Sequence, residues 1–255
     1  MVQALSRRDR VRAATTQEII QTARRLLVEQ GPEAVSLRAI AREMGMTAPA
    51  LYRYFSSHEE LLRFVVADIF TEVADHVRTA IHAVGSLDNT DSADVADLMV
   101  LKMAAGCREF RAWALEHVPE FSMIFGSPMP GLEVVHEINN DPTLDCGYQF
   151  GQVFLDLFGE LYRRRPFAIP ADNEIDPSLR GQLAKYREMV HSDLPLGALQ
   201  TFLRCWVLLY GTVSLEVSGH LKFALDDASP MFELMLADMA PMVGLDQPMP
   251  HHVAP

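Results

Sequence analysis

The stretch from Ser36 to Phe55 constrains the fold more strongly than any other part of the sequence. It contains two short segments with a helical spacing of apolar residues, and Gly45 separates them. Ser36 is a good N-cap for the first segment, and Thr47 is one for the second. In the second segment Leu51 and Phe55 are four residues apart, so both fall on one face of a helix. Two short helices joined by a glycine turn are typical of a helix-turn-helix.

Apolar residues recur at three- and four-residue spacing along nearly the whole sequence, which predicts helices rather than strands. We therefore predict an all-α fold. The predicted helices cover 15–30, 36–43, a segment capped by Thr47, 58–84, 92–117, a short segment from Pro119 to Phe125, 145–163, 178–190, 196–222 and 230–242. The sequence predicts turns or loops at 85–91, 126–131 and in the rest of 166–195, and a frayed tail at 247–255.

Charge is distributed unevenly along the sequence. Residues 1–63 hold ten Arg, no Lys and seven acidic residues, whereas the remainder holds 12 basic and 27 acidic residues. The formal net charge of −12 therefore combines a basic end of +3 with an acidic remainder of −15. Such an asymmetry is typical of a protein whose basic part faces a polyanion, although chance surface composition produces it about as often.

Composition excludes several classes of protein. Hydrophobic residues make up 49% of the 255 residues, so the chain has enough apolar surface to bury a core. No apolar run reaches the roughly 18 residues of a membrane span, and the charged N-terminus lacks the apolar stretch of a secretory signal. Cys107, Cys146 and Cys205 are too few and too scattered for a disulfide framework. We predict a cytoplasmic protein with reduced thiols and no membrane partner.

The run G-M-T-A-P-A-L-Y-R-Y-F-S-S-H-E-E-L-L at 45–62 resembles the signature of the TetR (tetracycline-repressor-like) family. In that signature a turn glycine leads into a helix ending in L-Y-x-x-F, and a Lys-Glu-x-Leu helix start follows. The upstream Gly31 and the run V-S-L-R-A-I-A at 35–41 are similar too. The resemblance implies a helix-turn-helix DNA-binding domain at 14–64 and a larger helical ligand-binding and dimerisation domain at 65–244.

The resemblance also assigns roles to individual residues. It implies that the hydroxyl of Tyr52 binds a phosphate, while the guanidinium of Arg53 fits O6 and N7 of a guanine. His58 stands where the family often has Lys, which weakens the phosphate contact expected there. The Arg-rich segment at 7–12 forms either a DNA-contacting arm or a solvated tail. The predicted DNA-contacting residues are Ser36, Arg38, Thr47, Ala48, Pro49, Ala50, Tyr52, Arg53, Tyr54 and His58.

Met and aromatic side chains line adaptable apolar cavities, and the sequence after the helix-turn-helix is rich in them. The predicted effector-contacting residues are Met103, Phe110, Trp113, Phe121, Met123, Phe125, Met129, Phe150 and Phe154, each of which is otherwise an ordinary core residue. The resemblance further implies a four-helix dimer interface. The apolar helices near 145–163 and 196–222 are the candidates for it, with packing inside a single chain as the alternative. The runs V-P-E-F-S-M-I-F at 118–125 and W-x-x-x-Y-G at 206–211 resemble one C-terminal domain type of the family.

No spacing typical of a metal site or of a catalytic motif appears in the sequence. We therefore predict that the protein is not an enzyme and uses no cofactor. The predicted function is a ligand-responsive transcriptional regulator that binds a palindromic operator as a homodimer and is released by a small, mostly apolar effector. Repression is the family's usual mode. Two alternatives stay open: a ligand-binding or enzymatic helical protein with a vestigial helix-turn-helix, and a structural partner protein that binds neither DNA nor ligand.

Overall fold

A computed structural model of the protein describes residues 6–85, 92–126 and 142–245. These ranges contain ten α-helices and no strand, so the predicted all-α fold is confirmed. The helices are α1 (Arg7–Gln30), α2 (Leu37–Glu43), α3 (Ala48–Leu51), α4 (His58–Ala83), α5 (Ser92–Glu116), α6 (Val118–Phe125), α7 (Pro142–Arg164), α8 (Pro177–Met189), α9 (Leu196–Val217) and α10 (Ser229–Met239). The predicted turn at 86–91, the loop at 127–131 and the tail at 247–255 lie outside the described residues.

The chain divides into two compact units. Unit 1 combines residues 1–72 with 117–147, and unit 2 combines residues 73–116 with 148–255. Unit 1 therefore contains α1 to α3, the first part of α4 and α6, whereas α5 and α8 to α10 belong to unit 2. The domain boundaries expected from the sequence stay a prediction.

The core of unit 1 is formed where the first four helices meet. Ile19 of α1, Ile40 of α2, Leu51 of α3 and Leu61 of α4 are each 0% exposed. Phe55, in the turn after α3, is 1% exposed and its ring contacts Phe64 edge-on at 5.4 Å. Each of these buried side chains contributes about 1.5–3 kcal/mol of hydrophobic free energy, which holds α2 and α3 in a fixed orientation.

The start of α1 differs from the prediction of a helix beginning at residue 15. The helix begins at Arg7 because Ser6 caps it: the Ser6 hydroxyl accepts a hydrogen bond from the Asp9 backbone N–H at 3.2 Å. Asp9 also lies in the first turn, where a negative charge interacts favourably with the helix dipole. Residues 7–12 are helical, so the alternative of a disordered tail was wrong, and contact of this segment with DNA stays a prediction.

Helix α3 is shorter than the predicted second helix of the motif. Only Ala48–Leu51 is α-helical, and the backbone then tightens into turns. The Arg53 N–H bonds the Ala50 carbonyl at 3.3 Å, and the Tyr54 N–H bonds the Leu51 carbonyl at 2.9 Å. These i to i−3 bonds replace the α-helical pattern, yet Leu51 and Phe55 are both buried, as their spacing predicted.

An aromatic cluster forms the centre of unit 2. Phe110 of α5, Phe150 and Phe154 of α7, and Trp206 of α9 lie with ring centroids between 5.4 and 6.1 Å apart. Bidentate ion pairs at the edge of this core connect α5 to neighbouring helices. The Arg111 guanidinium donates to both carboxylate oxygens of a Glu on α9, at 2.7 and 2.6 Å.

Helix α9 is long and apolar enough to meet the length and hydropathy criteria for a membrane span. Half of that apolar window is buried against the protein itself. A core helix of a folded domain has the same length and composition, so this property alone is weak evidence for a membrane location. No other helix in the described ranges meets the criteria.

Candidate DNA-binding site

The turn between α2 and α3 has the conformation that a helix-turn-helix requires. Gly45 has φ +64°, a left-handed conformation that glycine adopts without a steric penalty. The next residue, Met46, donates its N–H to the Ala41 carbonyl at 2.8 Å, which closes the end of α2. At the other end of α2, the Ser36 hydroxyl accepts the Ala39 N–H at 3.2 Å, as predicted for an N-cap.

The segment 47–54, called the recognition segment below, turns its apolar residue inward and most of its polar residues outward. Leu51 is fully buried, whereas Thr47, Pro49, Tyr52 and Arg53 are exposed. The Thr47 hydroxyl makes no capping bond, and the Tyr52 hydroxyl and the Arg53 guanidinium have no hydrogen-bond partner among the described residues. The segment therefore presents an unpaired cation and two unpaired hydroxyls on a rigid scaffold.

The other predicted DNA-contacting residues have mixed surroundings. Ala48 and Ala50 are half-buried, and Arg38 is exposed on α2. Tyr54 is half-buried, and the guanidinium of Arg12 lies over its ring at 5.3 Å. The same guanidinium donates to the backbone carbonyl at position 53, at 3.1 Å. Arg12 thus anchors the end of the recognition segment to α1.

His58 makes a contact within the protein. Its Nε2 lies 2.6 Å from the Val35 carbonyl, and because that carbonyl only accepts, Nε2 donates the hydrogen. Val35 precedes Ser36, the N-cap of α2, so this bond ties the start of α4 to the start of α2. The structure thus gives His58 a positioning role, whereas the sequence pattern suggested a phosphate contact.

The start of α4 contains a capping arrangement that the sequence analysis did not identify. The Ser57 hydroxyl accepts the Glu60 N–H at 3.1 Å, and the Glu60 carboxylate accepts both the Ser56 hydroxyl, at 2.6 Å, and the Ser56 N–H, at 2.5 Å. These bonds from the Ser56 side chain and backbone lower the pKa of Glu60. The pattern Ser57-x-x-Glu60 is the sequence signal of a capping box, in which a Ser and a Glu three residues later bond N–H groups at the start of a helix.

A buried charge cluster in unit 1 was also missed. The Arg24 guanidinium of α1 bonds Asp68 at 2.9 Å and Glu72 at 2.7 Å, both on α4, and lies 3.7 Å from Glu120 of α6. Burial lowers the pKa of Arg24, but the hydrogen bonds to Glu72 and Asp68 outweigh it and raise the pKa overall. The only sequence signal was an Arg next to Ala23 on the apolar face of α1.

The predicted effector-contacting residues fall into separate groups. In unit 1, Phe121 and Phe125 of α6 contact each other at 5.1 Å, and Met123 is on the same helix. In unit 2, the residues are buried on α5 and α7, and they are Met103, Phe110, Trp113, Phe150 and Phe154. Met129 lies outside the described residues.

Unit 2 contains a cavity of about 650 Å³ whose lining comes from α4, α5 and α7. Its apolar lining consists of Ile81, Met99, Val153 and Leu157. None of the predicted effector-contacting residues is part of the lining that the described residues provide. Lys102, which no sequence pattern singled out, lines the cavity although it is only 8% exposed.

No group of three or more His, Cys, Asp or Glu side chains within 6–85, 92–126 and 142–245 has the geometry to hold a metal ion. Two of the cysteines, Cys107 and Cys205, are buried. Burial raises the pKa of the Cys107 thiol to about 12 and that of the Cys205 thiol to about 11. Both side chains are therefore protonated and weakly reactive at neutral pH.

Comparison with known protein families shows which family the chain resembles. The profile of bacterial regulatory proteins of the tetR family matches residues 19–65, which include the helix-turn-helix. A second profile, for the C-terminal domain of Tetracyclin repressor-like proteins, matches residues 103–239, more than half of the chain. The chain belongs to the TetR family. The resemblance of its sequence motif to this family is thereby confirmed, and proteins of the family are transcriptional regulators that bind DNA.

Individual TetR-type relatives match parts of the chain. The HTH-type transcriptional regulator Rv1816 of Mycobacterium tuberculosis is 36% identical over 114 residues, which are 45% of this chain and 44% of that protein. The HTH-type transcriptional regulator PksA of Bacillus subtilis is 36% identical over 61 residues, which are 24% of this chain and 30% of that protein. The chain thus matches less than half the length of these curated relatives.

Solved structures share the fold over most of the chain. The crystal structure of the regulatory protein SCO4313 is 28% identical with a TM-score of 0.66, and the match covers 92% of this chain and all of that one. A structure from Rhodococcus sp. RHA1 is 17% identical with a TM-score of 0.57, and the match covers 91% of this chain and 95% of that one. The second similarity concerns the fold alone.

Proposed function

We propose that this TetR-family regulator binds a palindromic DNA operator as a homodimer and releases it when a small effector binds in unit 2. Repression of the genes beside the operator is the mode we propose. The observation that carries the DNA-binding part is the recognition segment. Its apolar residue is fixed in the core of unit 1, while the side chains of Tyr52 and Arg53 are exposed and have no hydrogen-bond partner among the described residues.

In this proposal each exposed side chain has a distinct contact. The Arg53 guanidinium reads a guanine edge through two hydrogen bonds, since its planar fork fits O6 and N7. The hydroxyls of Thr47 and Tyr52 bind phosphates, which positions the segment without reading sequence. Ala48 and Ala50 are small enough to contact thymine methyl groups. Arg53 is therefore the residue on which sequence preference depends.

A dimer is required because two recognition segments must reach successive major grooves, about 34–36 Å apart. Helix α9, one of the two helices expected at the interface, retains an exposed apolar face. Val207 is 66% exposed, Leu208 is 37% exposed and Leu215 is 45% exposed. A cleft of about 390 Å³ runs between this face and α8, with Leu179 and Leu183 on the α8 side.

The other expected interface helix, α7, has less apolar surface to offer. Phe150, Phe154, Phe158 and Leu161 of α7 are all buried inside unit 2. Their apolar area is already removed from water within one chain. We therefore place α8 beside α9 in the proposed dimer interface, in place of α7.

The decisive experiment measures binding of the purified protein to DNA by fluorescence anisotropy. The duplex is one that the wild type selects from a random library, and the DNA flanking the gene is tested beside it. We expect Arg53→Ala to weaken binding by about 1–3 kcal/mol and to relax the preference at one base pair. Tyr52→Phe removes only a phosphate contact, so it weakens binding to all duplexes by a similar factor.

Lys222→Ala is the matched control, because it also removes one positive charge but lies in unit 2, in the exposed turn after α9 and outside both α8 and α9. It is expected to bind like the wild type. If the random library yields no bound duplex with protein stripped of small molecules, the regulator proposal is wrong. A helical ligand carrier with a vestigial helix-turn-helix then becomes the better description.

A further inference from the structure

We infer that the effector is an organic anion with an apolar body, and that the ammonium group of Lys102 pairs with its acidic group in the cavity of unit 2. This inference rests on the proposed function, since it names the chemical class of the effector. It also changes the expectation from the sequence, which was a small, mostly apolar ligand.

The first observation is the state of Lys102. Its side chain lines the cavity, it is 8% exposed, and it makes no hydrogen bond or ion pair with any residue that the structure describes. A Lys side chain that is this buried is rarely found without an ionic partner. Such a group is retained where it serves a ligand that supplies the missing negative charge.

The second observation is that the acidic residues of the cavity already have partners. The Asp156 carboxylate accepts the side-chain amide of Gln152 at 2.6 Å. The Glu160 carboxylate accepts Arg163 at 2.7 Å and also pairs with Arg164. The two carboxylates therefore offer less to a ligand cation than Lys102 offers to a ligand anion.

Other charges near the cavity have the same sign as Lys102. Arg78 lines it and is paired with Asp75, which is not part of the lining. The lining holds three cationic side chains, the third being Arg163, and two carboxylates, so it has one more positive than negative group, which favours an anion.

The apolar residues of the lining indicate what the rest of the ligand is like. Ile81 and Met99 form one apolar part, from α4 and α5, and Val153 and Leu157 form another, from α7. A volume of about 650 Å³ is within the range of sites for drug-sized molecules. The cavity therefore fits an amphipathic molecule with one acidic group and an apolar body of one or two rings or a medium alkyl chain.

The test compares two fluorescent probes that differ in their acidic group. 8-Anilinonaphthalene-1-sulfonate carries a sulfonate, and N-phenyl-1-naphthylamine has the same ring system without it. We expect the wild-type protein to bind the sulfonate probe saturably and about 10- to 100-fold more tightly than the neutral probe. That ratio is the usual contribution of a hydrogen bond to a charged group.

Three variants isolate the charge. Lys102→Met keeps the length of the side chain, so it should lose the preference for the sulfonate while binding the neutral probe unchanged. Lys102→Arg should keep the preference. Lys185→Met, an exposed Lys on α8, is the matched control and should behave like the wild type. Circular dichroism verifies that each variant is folded, and Lys102→Met should unfold at the same or a higher temperature.

Three results would overturn the inference: no saturable binding of the sulfonate probe to the wild type, equal affinity of the wild type for both probes, or an unchanged preference in Lys102→Met. Operator binding, measured on the same preparation without a probe, separates this result from the proposed function. Intact operator binding with no anion preference rejects only the effector class. Absent operator binding rejects the proposed function instead.

Discussion

Arg24 and Arg25 are neighbours on α1, but the first side chain is buried and the second is exposed. The Arg24 side chain is 10% exposed and faces three carboxylates of unit 1, whereas the Arg25 side chain is 47% exposed and pairs with Glu29 and Glu43. Surface pairs contribute little because water screens them. A buried cation that several carboxylates share is costly to remove, because its partners are left uncompensated.

We therefore expect Arg24→Met to destabilise the protein by about 2–3 kcal/mol. This loss is smaller than the usual loss for a fully buried ion pair, since the side chains of Asp68 and Glu72 are 20% and 30% exposed. Arg25→Met removes the same charge from the surface and should change the unfolding temperature little. Thermal unfolding of both variants at one pH is the measurement. An equal drop in unfolding temperature in the two variants would show that burial of the charge cluster does not contribute to stability.

At the scale of elements, the capping bonds at the start of α4 connect stability to pH. The pKa of Glu60 is lowered in the folded protein by its hydrogen bonds to Ser56. The unfolded value is higher, near the usual pKa of about 4.3 for Glu. The contribution to stability is therefore present above the unfolded pKa and is lost as the pH falls through the folded pKa.

Glu60→Gln tests this connection. The variant should unfold at a lower temperature than the wild type at pH 7, by the equivalent of about 1 kcal/mol for a lost cap. The difference between the two proteins should shrink as the pH falls from 5 towards 3, because protonation removes the same bonds from the wild type. A difference that stays constant over this range would mean that the carboxylate charge does not act through the cap.

The elements themselves were largely predictable, since Gly, Pro and polar residues mark most helix ends. The helix predicted at 178–190 is present as Pro177–Met189, because Asp176 caps it and Pro177 starts it. The start of α1 was missed because its Arg-rich first turns resemble a solvated tail, and the signal that starts the helix is the short-range pair of Ser6 and Asp9. Such local caps are weaker patterns than apolar periodicity.

The functional sites were predictable to different degrees for a physical reason. The recognition segment is local, so its spacing places Leu51 inside and Arg53 outside without knowledge of the tertiary fold. The cavity of unit 2 is lined from three helices between positions 78 and 163. Which residues of those helices face a common space depends on how the helices pack. For this reason the Met and aromatic residues chosen from composition are absent from the described lining of this cavity, while Lys102 was missed.

At the scale of the whole molecule, the distribution of charge and apolar surface suits an assembly of two chains on DNA. Exposed Arg side chains are concentrated in the first 63 residues, where the helix-turn-helix lies. The acidic remainder would be repelled by DNA, which favours contact through the basic end. Since a single recognition segment covers few base pairs, the proposed operator binding requires a second copy, and in our proposal that copy packs on the exposed face of α9.

Val207→Asp tests this dependence. Val207 is the most exposed large apolar residue of α9, at 66%, so a charge there leaves the fold of a single chain intact. In the proposed dimer the same carboxylate would be buried in the apolar interface without a partner. We expect a monomer by size-exclusion chromatography with light scattering, and a large loss of affinity for a palindromic duplex. Val28→Asp, at a 49% exposed position on α1, is the control and should stay dimeric. A dimeric Val207→Asp that still binds the palindrome would move the interface away from α9.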